Sequence, residues 1–125
     1  SVAVPALSDE DVDAFAELLH DVDVASAAGD VETLTAANRR FHFAIFDAAG
    51  LPRLSRLLRQ LWDATDAYRS LYFASTVNRA RVDREHAAML AALRRRDAER
   101  VIRLHDEHRR RSVAAVRAQL EQEQP

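Results

Sequence analysis

The chain contains no cysteine and no lysine, only two glycines and three prolines, one tryptophan, and 6% aromatic residues. Without cysteine there is no disulfide, no thiolate metal ligand and no cysteine nucleophile. With so few helix breakers, and with β-branched and aromatic residues too scattered to mark strands, the abundant alanine points to an all-α chain. No run reaches the roughly 18 apolar residues of a membrane span, and the acidic N-terminus is unlike a signal peptide. A soluble, cytoplasmic protein with no membrane partner is expected. Basic residues are missing from the first 35 positions, which carry nine Asp or Glu, while all 18 basic residues lie further on and all are arginine. Asp97, Glu99, Asp106 and Glu107 interleave with the clusters Arg94-Arg95-Arg96 and Arg109-Arg110-Arg111. These clusters therefore read as solvated helix ends, not as a phosphate-binding patch.

What is present is amphipathic helix. At 125 residues and 48% hydrophobic content the chain can bury one core, so residues 1–125 are read as a single domain. Ser8 followed by Asp9, Glu10 and Asp11 is an N-cap with a first turn matched to the helix dipole, and Gly29 is a stop, giving a helix over about 9–28. Asp30 caps a second helix with Leu34, Asn38, Phe41, His42, Ile45 and Ala49 on one face, ended by Gly50 and Pro52. Pro52 opens a third, whose stripe runs Leu54, Leu57, Leu58, Leu61, Trp62, Thr65 and Tyr68 toward Tyr72. Residues 74–78 read as a connection. A fourth helix carries Val82, His86, Met89, Leu90 and Leu93. Asp97 then caps a last one carrying Val101, Leu104, His105, His108, Ser112 and Ala115, with a frayed tail from Glu121. Amphipathic helices joined by short turns predict an antiparallel bundle of about five to six helices with mutually buried faces.

Three of the five histidines fall on apolar stripes. Asn38 and His42, four residues apart, share one helix face and can share an ion. His86 and His108 come from two other helices, completing a set of three nitrogens and one oxygen with positions left for water or an acidic ligand. His105, one turn from His108, is expected to be partly exposed, and His20 to be a surface residue.

Asn38-Arg39-Arg40-Phe41-His42, Ala48-Ala49-Gly50 before a leucine-rich helix, Glu85-His86 with Ala92-Leu93 and Asp97, and His108 occur in an order that resembles the FCD domain. This is the effector-binding C-terminal domain of FadR-type GntR transcription regulators, and the resemblance spans about residues 7–120. It implies a divalent metal, Zn, Ni or Mn, on Asn38, His42, His86 and His108, with a small carboxylate effector bound above it. Asn38 stands where metal-binding members commonly carry aspartate, and a neutral amide is a poorer donor to a cation. The resemblance also implies operator DNA bound only through an N-terminal winged-helix domain that has no counterpart in this chain; the pocket wall this leaves open would expose apolar area that favours association, so a homodimer is expected. Trp62, Thr65, Arg69 and Tyr72 succeed one another on the third helix as candidate effector contacts, with Arg69 able to clamp a carboxylate.

A regulatory domain, not an enzyme, is therefore the leading expectation. Two alternatives stay open: a metal-dependent hydrolase, for which Glu85 is the adjacent carboxylate but should point away from His86, and a metal-free helical dimerisation module with core histidines.

Overall fold

A computed structural model describes residues 6–48 and 52–123. Five helices follow one another: α1 Asp9–Ala28, α2 Val31–Ala48, α3 Pro52–Phe73, α4 Thr76–Arg94 and α5 Ala98–Glu123. No strand occurs among the described residues. The all-α bundle is thus as expected, at the lower of the two helix numbers.

The helix ends are set by local chemistry. At α1 the Ser8 hydroxyl accepts from Asp11 N at 3.0 Å while the Asp11 carboxylate accepts from Ser8 N at 2.9 Å, a reciprocal capping box. Replacing Ser8 with Ala is expected to lower folding stability by about 1 kcal/mol, read from the urea midpoint of the full chain. Gly29 closes α1 in the left-handed conformation, φ 67°, a position that favours glycine. Asp30 accepts from Thr33 N at 3.2 Å and Asp97 from Arg100 N at 3.1 Å, so both expected caps form. Gly50 and Ala49 lie outside the described residues.

Four expectations need correction. The α3–α4 connection is only Ala74 and Ser75, because the Ser75 hydroxyl caps α4 by accepting from Asn78 N. Thr76, Val77 and Asn78, read from sequence as breakers, form the first turn of that helix. At the other end α5 continues helical through Glu123, past the expected fraying point. Arg96 is no solvated helix end either. It adopts a left-handed φ of 56° after α4, and its guanidinium donates to Leu7 O at 2.9 Å and to Asp9 at 2.8 Å, tying the α4–α5 turn to the start of α1.

The packing closes a ring: α1 against α2, α2 against α3, α3 against α5, α5 against α4 and α4 back against α1. Phe15, Leu19 and Val22 of α1, Leu34 and Phe41 of α2, Tyr72 and Phe73 of α3, Val82 and Leu93 of α4 and Val101 of α5 form the core. The stripe of α3 departs from the expected pattern. Leu54, Leu57, Leu61 and Tyr68 are about half exposed, because among the described residues no other helix covers that face.

Candidate metal and effector site

The ring of helices brings the three stripe histidines together. His42 from α2, His86 from α4 and His108 from α5 are all buried, and one ring nitrogen from each lies within 4.8 Å of the others. Helical spacing made this convergence legible: each histidine replaces one apolar residue on a core-facing stripe, so packing the stripes packs the imidazoles. The rings stand 5.0 Å apart for His42 and His86, 5.0 Å for His86 and His108, and 5.3 Å for His42 and His108, centroid to centroid.

The donor set fits a divalent cation. The Nε2 atoms of His42 and His86 are 3.0 Å apart. Two nitrogens held about 2.0–2.1 Å from one ion, at angles between octahedral and tetrahedral, stand roughly 2.9–3.4 Å apart. Asn38 is buried one helical turn from His42, and its Oδ1 has no hydrogen-bond partner among the described residues. The Nδ1 atoms of His42 and His86 are also buried without partners. Each unmet buried polar group costs about 1–3 kcal/mol, and a cluster of them at one point is what a functional site imposes on a fold.

Burial, reinforced by the neighbouring imidazoles, holds the pKa values of His42 and His86 well below the ordinary histidine value. Both are neutral in the folded protein at pH 7, the form in which imidazole donates to a metal. His105 is brought down to about 4, chiefly by burial and then by His108 and Arg109. Its residue is partly exposed, as expected. Its ring nevertheless packs against Phe46 at 5.2 Å and against His42 at 5.5 Å. His20 is exposed on α1 and takes no part.

Above the histidines lies a cavity of about 340 Å³. Asn38, His42 and His108 line it, while His86 sits behind them, fully buried. Every residue expected to contact an effector, Trp62, Thr65, Arg69 and Tyr72, lines it too. Leu58, Leu61, Val113 and Val116 make much of the remainder apolar. The Arg69 guanidinium lies over the Trp62 ring, 3.7 Å from its centroid, and donates through one terminal nitrogen to Thr65 Oγ1 at 2.7 Å and Trp62 O at 3.2 Å. Its other two nitrogens have no partner among the described residues. Burial lowers its pKa to about 10, so it stays a cation at neutral pH, with Asp66 3.6 Å away as partial compensation. The arrangement offers an anion one free guanidinium edge inside a mainly apolar chamber. The second cation at the wall, Arg109, is paired to Asp106 at 2.7 Å and mostly exposed.

Sequence reasoning missed one contact. Glu85 does not line the cavity, consistent with its angular position beside His86, yet its Oε1 lies 3.0 Å from His108 Nδ1. Burial alone would raise its pKa, but hydrogen bonds from His108 and Arg111 outweigh this and lower it. The signal lay in the reach of a glutamate side chain across to α5, which one-helix geometry does not reveal.

Comparison with known proteins follows the same lines. The family model described as the FCD domain matches residues 1–111. The HTH-type transcriptional regulator McbR of Escherichia coli (strain K12) is 32% identical over 103 residues, covering 79% of this chain and 46% of that protein. The solved structure of E. coli McbR/YncC aligns with a TM-score of 0.79 and 27% identity, over 94% of this chain and 59% of that one. The chain thus spans about half the length of the curated relative it matches.

Proposed function

Because the chain belongs to the FCD domain family, we propose that it is the ligand-sensing regulatory domain of a GntR-type transcription regulator, and not an enzyme. Asn38, His42, His86 and His108 hold a divalent metal, and a small organic acid occupies the cavity above it. The observation that carries this reading is the convergence of three buried imidazoles from three helices beneath a chamber with one free guanidinium edge. Zinc and nickel suit the three imidazoles, and manganese the oxygen donors that complete the set. When bound, the ion supplies concentrated positive charge to which a carboxylate can attach.

The protein's own groups do the rest. Arg69 orients the acid through its unpaired edge, Thr65 and Trp62 fix the guanidinium, and the aliphatic walls exclude water so that these contacts strengthen. An acid bridging α3 to the floor built from α2 and α5 favours the arrangement in which those helices are closed, and this preference is the regulatory signal. No Asp or Glu lines the cavity among the described residues, which argues against the hydrolase alternative by leaving no carboxylate base there.

The reading includes a homodimer. Leu54, Leu57, Leu61 and Tyr68 form an exposed stripe on α3, and a second copy would remove that apolar area from water. Operator DNA is reached through a winged-helix unit of the kind the family joins on the N-terminal side, and the regulator works in the cytoplasm, where that DNA lies. No described helix is long and apolar enough to cross a membrane.

Isothermal titration tests the proposal. Metal-stripped protein should bind zinc, nickel or manganese, and equal binding by His86→Ala would remove His86 from the site. Acetate, succinate and benzoate are then titrated into the metal-loaded protein. Arg69→Gln is expected to weaken the best of these acids by roughly 10–100-fold, the worth of a hydrogen bond to a charged group, while leaving the metal isotherm unchanged. A matched loss of metal binding would mean that Arg69 acts on the fold instead of the acid.

A further inference from the structure

We infer that Glu85 is a positioning residue for His108, fixing which ring nitrogen is left to face the three-histidine centre; the inference rests on the metal-site reading above. The Glu85 side chain is only 10% exposed, and its Oε1 sits 3.0 Å from His108 Nδ1. The same oxygen accepts from Arg81 at 2.8 Å, and Oε2 accepts from Arg111 at 2.8 Å. Arg81 comes from the same helix as Glu85, whereas Arg111 lies one turn beyond His108 on α5. The carboxylate cannot swing away without breaking two ion pairs. Arg81 also donates to the Tyr72 hydroxyl, and Tyr72 lines the cavity. The support of the ligand therefore reaches the effector wall without passing through the metal position.

An ionised carboxylate only accepts hydrogen bonds, so a neutral His108 beside it carries its proton on Nδ1. That leaves the Nε2 lone pair free to coordinate. A carboxylate behind a ligating imidazole orients the ring and raises its basicity. Among the described residues only His108 has such support within the cluster, since Nδ1 of His42 and of His86 has no partner there. Asn38 adds no negative charge to the set, so Glu85 supplies the nearest anionic group that the structure shows bonded to a ligand histidine.

Two measurements test this on the full 125-residue chain. Long-range ¹H–¹⁵N correlation spectra of the metal-free protein, recorded at about pH 8, above the ordinary imidazole range, read the tautomer of His108 directly. The expected result is an Nδ1–H tautomer in the wild type and a mixed population in Glu85→Gln. Zinc titration of the same pair should show a roughly 10–100-fold weaker dissociation constant in the variant, with unchanged far-UV circular dichroism. A wild-type His108 protonated on Nε2, or equal zinc affinity in the two proteins, overturns the inference. Wild-type protein that binds no zinc yet keeps the Nδ1–H tautomer would sink the metal reading while supporting the positioning contact. Should the variant fail to fold, the wild-type tautomer decides alone.

Discussion

Metal-free protein taken from pH 7 to pH 5 is expected to lose on the order of a few kcal/mol of folding stability, most of it below about pH 6.5. His42 and His86 are held neutral in the folded state, first by burial and then by neighbouring imidazoles. His105 joins them, with a pKa lowered to about 4. In the unfolded chain all three take up protons as the pH falls through about 6.5. The unfolded state therefore binds more protons than the folded one, and stability must fall with pH. Each such histidine contributes a slope of about 1.4 kcal/mol per pH unit. The slope weakens near pH 4, where His105 begins to protonate in place. Even a few kcal/mol is a large fraction of the whole stability of many domains, about 5–15 kcal/mol. Urea unfolding at half-unit pH intervals measures it, and a flat profile between pH 7 and pH 5 would show that the imidazoles are not buried as described.

The second large effect is stabilisation by metal. A ligand that binds only the folded state, at a thousandfold excess over its dissociation constant, adds about 4 kcal/mol, or about 12–20 °C in melting temperature for a domain of this size. Zinc should raise the melting temperature by that order, and a chelator should reverse the change. In His86→Ala most of the shift should be lost, because a fully buried donor from α4 is removed. Asn38→Asp should act in opposite directions on the two forms. A buried carboxylate destabilises the metal-free protein, whereas the added negative charge tightens the metal-bound one. A variant that melts lower without zinc and higher with it would mark position 38 as a ligand. Equal zinc shifts in wild type and His86→Ala would mean that zinc binds without His86.

Much of this architecture was readable in the chain because its signals are local. Ser8, Gly29, Asp30 and Asp97 mark helix ends through backbone groups that need partners, and each does so in the structure. The histidine centre was readable for a related reason: a polar residue on a core-facing stripe must meet whatever the other stripes carry. The failures are equally physical. Thr76, Val77 and Asn78 have modest helix propensity, and the Ser75 hydroxyl that overrides it is a single hydrogen bond. The leucines of α3 look like core by spacing, but spacing does not say whether a helix of the same chain lies opposite. Glu85 was judged from its own helix alone, and its role came from α5, which delivers both His108 and Arg111 to its carboxylate.

X-ray absorption at the zinc edge of the metal-loaded protein tests the central claim most directly, because it counts imidazoles around the ion. The structure leads to three histidine nitrogens at about 2.0–2.1 Å with oxygen ligands completing the shell. A spectrum with no more than one imidazole, or a protein that retains no divalent ion after mild dialysis, would contradict a metal centre built by His42, His86 and His108.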